Sequence, residues 1–88
     1  MELQYETVEQ LASVMVSLID SYWKLEISEE DFLSQIAHVF LEPNLRGIAM
    51  RGLNFKSAFE RKLGKKRIAE LTLALIKIDK KTFQGLKK

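Results

Sequence analysis

Apolar residues recur at three- and four-residue steps through the first part of the chain. Val8, Leu11, Ala12, Met15, Leu18, Ile19, Tyr22 and Trp23 follow the spacing of one helical face and predict a helix over about residues 6–24. Glu6, Glu9, Gln10, Ser13, Ser17, Asp20, Ser21 and Lys24 collect on the other face, while Val14 and Val16 widen the apolar arc to roughly half the circumference. That arc is wider than one neighbouring helix covers.

A second helix begins at Ser28. Its hydroxyl can cap the first turn, with Asp31 three residues on reaching back as in a capping box, and Ile27 and Phe32 are spaced as a hydrophobic staple. Glu29, Glu30 and Asp31 sit where the helix dipole favours negative charge. Phe32, Leu33, Ile36, Ala37, Val39 and Phe40 form the inward face, and Pro43 ends the helix by disfavouring helical geometry at Glu42. Residues 43–53 hold the only proline and two of the four glycines, which predicts a loop with at most one helical turn. Asn54 is positioned to cap a short helix through Leu63, with Phe55, Ala58, Phe59 and Leu63 inward and Gly64 as its stop.

The last helix, about residues 65–78, is apolar almost all round. Ile68, Ala69, Leu71, Leu73, Ala74, Leu75, Ile76 and Ile78 leave a narrow strip of Lys66, Glu70 and Lys77, with Lys66 and Glu70 spaced to pair across one turn. Such a helix belongs at the centre of a fold. The predicted architecture is therefore all-α, a small bundle of three to four short helices. In it an N-terminal helical hairpin packs on a central apolar C-terminal helix. One domain spans residues 1–78, and residues 79–88 form a basic tail that frays.

Length changes the picture little: 88 residues support one hydrophobic core. The absence of cysteine excludes disulfides, thiolate zinc sites and cysteine nucleophiles, and fits a reducing compartment. The acidic start Met1–Glu6 lacks the basic region of a secretory signal, and no run approaches the roughly 18 apolar residues of a membrane span. These features point to the cytoplasm, with no membrane partner.

Charge is the informative property. Residues 1–42 carry nine acidic side chains and one basic, Lys24, whereas residues 43–88 carry thirteen basic and three acidic. The halves bear formal charges of −8 and +10 within a net +2. Two readings follow: the halves attract one another within the fold, or the basic half meets an anionic partner.

Candidate chemistry is sparse. The single histidine, His38, lies on the polar side of the second helix, and without cysteines it cannot assemble a zinc site of the usual ligands. No phosphate-cradling glycine loop is present. Glu29, Glu30 and Asp31 diverge by about 100° per residue, so they read as helix-start electrostatics rather than as a metal site. Ser13, Ser17 and Ser21 stack at a spacing that can bring helices close in membranes, but on this helix they read as a solvated face. Neither a cofactor nor a small-molecule substrate is implied, and an enzyme is not expected.

The run Arg61-Lys62-Leu63-Gly64-Lys65-Lys66-Arg67 puts five cations in seven residues around a helix break, with Phe59 nearby, and is the candidate phosphate grip. Residues 55–75 also invite comparison with a DNA-binding helix-turn-helix. With Gly64 in the turn, however, Glu60 and Glu70 fall where that motif needs a small and a buried aliphatic residue, so a typical motif is disfavoured.

Leu11, Tyr22-Trp23, Ile27-Ser28-Glu29-Glu30, Phe55 and Lys62-Leu63-Gly64-Lys65-Lys66-Arg67-Ile68 resemble a family of short uncharacterised all-helical proteins of Gram-positive bacteria and their prophages. The similarity covers about residues 8–76. Tyr-Trp followed by the Ser-Glu-Glu start, and the Gly-Lys-Lys-Arg break, are its most specific parts. The resemblance implies a bacterial or phage origin and a regulatory rather than catalytic role, and it assigns no site residues. The chain departs from the pattern in its middle segment and its lysine-rich tail.

The leading expectation is a protein-interaction module of regulatory or inhibitor type, a homodimer that buries surplus apolar helix surface. Tyr22, Trp23 and Phe40 are its expected contact residues, because aromatic side chains dominate interface energetics. The alternative is nucleic-acid binding through Arg61, Lys62, Lys65, Lys66 and Arg67, assisted by the tail lysines.

Overall fold

A computed structural model of the chain describes residues 7–83. Six helices follow one another: α1 (Val8–Trp23), α2 (Glu29–Phe40), α3 (Pro43–Ala49), α4 (Ser57–Leu63), α5 (Lys65–Ile78) and α6 (Lys80–Phe83). A hairpin of β1 (Met50–Arg51) and β2 (Asn54–Phe55) joins α3 to α4. The all-α class is as expected from the periodicity, with short helices added in the two stretches where it is weakest.

The chain cuts its helices with local chemistry. Thr7 accepts from the Gln10 backbone while the Gln10 side chain accepts from the Thr7 N–H, a complete capping box that starts α1. Ser28 caps α2 through the Asp31 N–H at 3.1 Å. Pro43 has two roles. It follows the end of α2 and opens α3 as its first residue, where its missing N–H costs nothing, and the Glu42 carboxylate accepts from Asn44 and Leu45. The expected loop over 43–53 is thus corrected to a helix and a strand.

Within the hairpin, Met50 pairs with Phe55 and Arg51 with Asn54 across a two-residue turn, and Gly52 at φ +62° takes the first turn position that glycine favours. Asn54 therefore lies in β2 and does not cap α4, whose cap residue Lys56 makes no side-chain cap bond. Gly64, at φ +85° and ψ 166°, separates α4 from α5 by a single residue in a backbone region almost restricted to glycine.

Helix α5 is central, touching α1, α2, α4 and α6, while α1 makes its most extensive contact with α4 rather than with its hairpin partner α2. Phe32, Phe40, Phe59, Phe83, Leu11, Met15, Ile19, Ile36, Leu63, Leu71 and Leu75 are the largest side chains sealed in the core. Phe40 and Phe59 meet edge to face at 6.3 Å, and Phe55 stacks on Phe59 at 5.5 Å. Thr72, the only buried polar residue among the described residues, satisfies its hydroxyl by donating to the Ile68 carbonyl of its own helix at 2.8 Å.

The start of the basic tail forms α6. Asp79 accepts from the backbone N–H and the hydroxyl of Thr82, Phe83 is fully buried, and the Arg46 guanidinium lies 5.9 Å over the Phe83 ring. Residues 80–83 thus pack on α5, and the rest of the expected tail, residues 84–88, lies outside the described residues.

Candidate functional site

Two surfaces carry the residues that the sequence singles out. The first lies where the end of α1 meets α5. Trp23 is 42% exposed and its indole N–H donates to Glu70 Oε1 at 3.0 Å, which fixes the ring against α5. Glu70 thus bonds to Trp23 rather than serving the expected pair with Lys66. Tyr22 is half-buried and stacks face to face on Phe32, with centroids 4.2 Å apart and planes 2° from parallel. Phe40 is fully buried at the centre of the core. The expectation that Phe40 meets a partner is therefore corrected: α5, α3 and α1 pack against α2, the Phe59 ring of α4 meets Phe40 edge to face, and no surface of that ring is left. Of the three aromatic candidates, Trp23 alone presents a broad face to solvent.

Two exposed leucines that the sequence did not mark belong to the same two helix segments. Leu25 is 89% exposed and Leu73 is 58% exposed. Leu25 follows the last turn of α1 at φ +65°, the one left-handed residue other than glycine among the described residues. The cause is visible in the backbone. The Glu26 N–H donates to the Ser21 carbonyl at 2.9 Å and the Leu25 N–H to the Tyr22 carbonyl at 3.1 Å, the two bonds of a Schellman ending that ordinarily places glycine here.

Leu73 projects from the outer side of α5 between Glu70 and Lys77, one helical turn from each. Lys77 in turn donates to Glu29 at 2.7 Å, which ties this end of α5 to the start of α2 and raises the lysine pKa. Three exposed apolar side chains thus belong to this region: Trp23 and Leu25 two residues apart at the end of α1, and Leu73 one turn along α5 from Glu70, the residue that Trp23 bonds.

The second surface is basic. Arg51, Asn54, Phe55, Lys56 and Ser57 line a groove of about 400 Å³ beside the hairpin. Ser57, Glu60, Arg61, Gly64, Lys65 and Ile68 line a larger one of about 850 Å³ at the α4–α5 elbow. The two grooves share Ser57. Lys62 and Lys66 are exposed next to them in the chain, whereas Phe59 is fully buried and offers no stacking face.

Arg67 has left the basic run. Its Nε and Nη2 donate to the two carboxylate oxygens of Asp20 at 3.0 Å each, and its Nη1 donates to the Leu63 carbonyl at 3.0 Å. This fork holds the Asp20 carboxyl below its usual pKa, mainly through the hydrogen bond. Sequence reasoning counted Arg67 among the free cations and missed Arg51 and Lys56, because the hairpin that brings them to the elbow was not foreseen. The chain end beyond Phe83, with two of the tail lysines, lies outside the described residues.

His38 is exposed at the rim of a 260 Å³ groove between α1 and α2 that is otherwise lined by Val14, Met15, Leu18, Ser34, Gln35 and Val39. Among the described residues no group of three or more His, Cys, Asp and Glu side chains could hold a metal ion, and no helix is long and apolar enough to cross a membrane.

No curated protein and no solved structure matches the chain. A family profile described as conserved hypothetical protein matches residues 2–72, through the capped hairpin of helices, the basic elbow and half of α5. By that match over most of its length, the chain belongs to this uncharacterised bacterial family of conserved hypothetical proteins.

Proposed function

We propose that this chain is a non-enzymatic protein-interaction module of regulatory type that self-associates through the patch of Trp23, Leu25 and Leu73. One observation carries the reading: Leu25 is an apolar side chain almost wholly in water, held in a left-handed backbone conformation. In an isolated subunit both features are unfavourable, because the exposed isobutyl group gains nothing from burial and the conformation costs about 1–2 kcal/mol for a residue with a Cβ. A partner surface turns the first of these into a gain.

A second copy is the partner that the local charges suit. Lys24 and Glu26 adjoin Leu25 in the chain, both are exposed and neither takes part in an ion pair among the described residues, so a two-fold pairing can set these unlike charges opposite one another. The patch is small, which places the association in the weak, transient class. The cytoplasm is the compartment we assign, on the sequence features alone. Within the bacterial family, the resemblance in Tyr22-Trp23 and the Gly64–Arg67 break favours Gram-positive bacteria and their prophages as the source.

Sedimentation velocity from roughly micromolar to submillimolar concentration tests the reading. The wild type is expected to show a rising weight-average mass, and Leu25→Asp and Leu73→Asp are each expected to hold it at the monomer value. A wild type that stays strictly monomeric throughout refutes self-association.

A further inference from the structure

We infer that the two adjoining grooves form a second, independent binding surface, for the phosphodiester backbone of a nucleic acid. Arg51, Lys56, Arg61 and Lys65 line the grooves, and Lys62 and Lys66 are exposed neighbours of two of them in the chain. None of these six takes part in an ion pair among the described residues, in contrast to Arg67 and Lys77. Glu60 is the only carboxylate lining either groove. Four uncompensated cations held along two adjoining grooves repel each other, and a regularly spaced polyanion relieves that repulsion with release of its counterions.

The shape selects among anionic partners. A membrane surface rewards apolar groups that protrude among the cations, but Phe55 and Ile68 are each only 9% exposed at the groove floors. The cations extend along two connected depressions with Asn54 and Ser57 between them, which suits a continuous strand of phosphates better than a compact acidic protein site. Recognition is of the backbone. Phe55 and Phe59 are enclosed and cannot stack on bases, and α5 is packed by four other helices and cannot enter a major groove. Binding is therefore indifferent to sequence.

The test is fluorescence anisotropy of the full chain with a labelled single-stranded oligonucleotide and with a duplex, each of about 20 nucleotides, across a salt series. Binding should weaken steeply with salt, with a log–log slope of up to about −3 on the single strand if all four groove cations engage phosphates at about 0.7 each. Both R61E/K65E and R51E/K56E should lower affinity at least about tenfold at low salt and flatten that slope by more than about one unit. K80E/K81E makes the same change in net charge on α6 and should lose less than about threefold. Circular dichroism checks that each variant is folded, and the two groove pairs, on different elements, serve as each other's control. Equal losses in all three variants would overturn the groove assignment, since net charge alone would then explain them. Absence of binding to either oligonucleotide at low salt would overturn it too, as would binding to anionic vesicles alone.

Discussion

Replacing Leu25 with glycine should stabilise the isolated subunit, although it removes a large apolar side chain. The left-handed conformation at φ +65° costs a residue with a Cβ about 1–2 kcal/mol, and glycine adopts it without that cost. Against this, the unfolded chain with glycine has more conformational freedom, which takes back up to about 1 kcal/mol. Burial adds almost nothing to either side, because Leu25 is 89% exposed.

The balance is a gain of about 0.5–1 kcal/mol, a rise in Tm of about 2–8 °C for a domain of this size. Thermal melts followed by far-ultraviolet circular dichroism at high dilution measure it. Leu25→Ala keeps a Cβ and hence the strain, so it should show no comparable rise. At high concentration the order should reverse, because the wild type alone gains stability from association. A Leu25→Gly variant that melts at or below the wild type in dilute solution would refute the claim that this backbone position is strained.

Three further outcomes are expected. Gly64→Ala should lose about 1–3 kcal/mol in urea denaturation. That loss comes from backbone strain alone, since no atom lies within 4 Å of the added Cβ. Phe83→Ala should cost about 3–5 kcal/mol in the same assay if α6 is part of the folded core, and almost nothing if the segment after Ile78 is loose. Asp20 has a folded pKa held below its unfolded value near about 3.9, so its contribution is present above that pH and is lost as pH falls through the lowered value. The stability difference between wild type and Asp20→Asn should accordingly shrink as an acid titration descends below about pH 4. A difference that stays constant would show that the Arg67 fork does not act through that proton.

The long helices were legible because their signals are local. The period of α1 and α2, the Ser28 cap and the bounds of α5 follow from residues within a few positions of one another. What escaped is set by tertiary contact. Pro43 stops one helix and starts the next, and the choice between loop and helix over 43–49 depends on α1 and α2 being there to pack against. The hairpin has two strands of two residues each, joined by Gly52-Leu53, too short for alternation to register.

The same limit governs the candidate surfaces. A helical wheel places Phe40 and Trp23 alike on apolar faces, and only tertiary packing decides that one is sealed while the other stays half open. Leu25 did carry a local signal: Leu-Glu-Ile stands where a helix ending with Ser28 close behind calls for glycine. Leu73 carried none, since an all-apolar helix does not announce which side its neighbours leave bare.

The opposed charges of the two halves are only partly resolved inside the fold. Among the described residues two ion pairs bridge them, Arg67 with Asp20 and Lys77 with Glu29. Both spend cations of α5 on acids of the helical hairpin and leave the elbow and the β-hairpin uncompensated. Attraction between the halves therefore explains how α5 is seated, and it does not explain the basic grooves.

The arrangement also separates the two proposed surfaces. Along α5 the Arg67–Asp20 and Trp23–Glu70 contacts stand between the basic elbow and Leu73. Copies of the chain repel one another at the grooves and can approach at the patch, so self-association and phosphate binding do not compete for the same residues. It follows that Leu73→Asp should abolish the rise in mass while leaving oligonucleotide affinity per subunit within about threefold on a site only one subunit can reach. A loss of both together would mean that the strand is held between two subunits and that the grooves of one are insufficient.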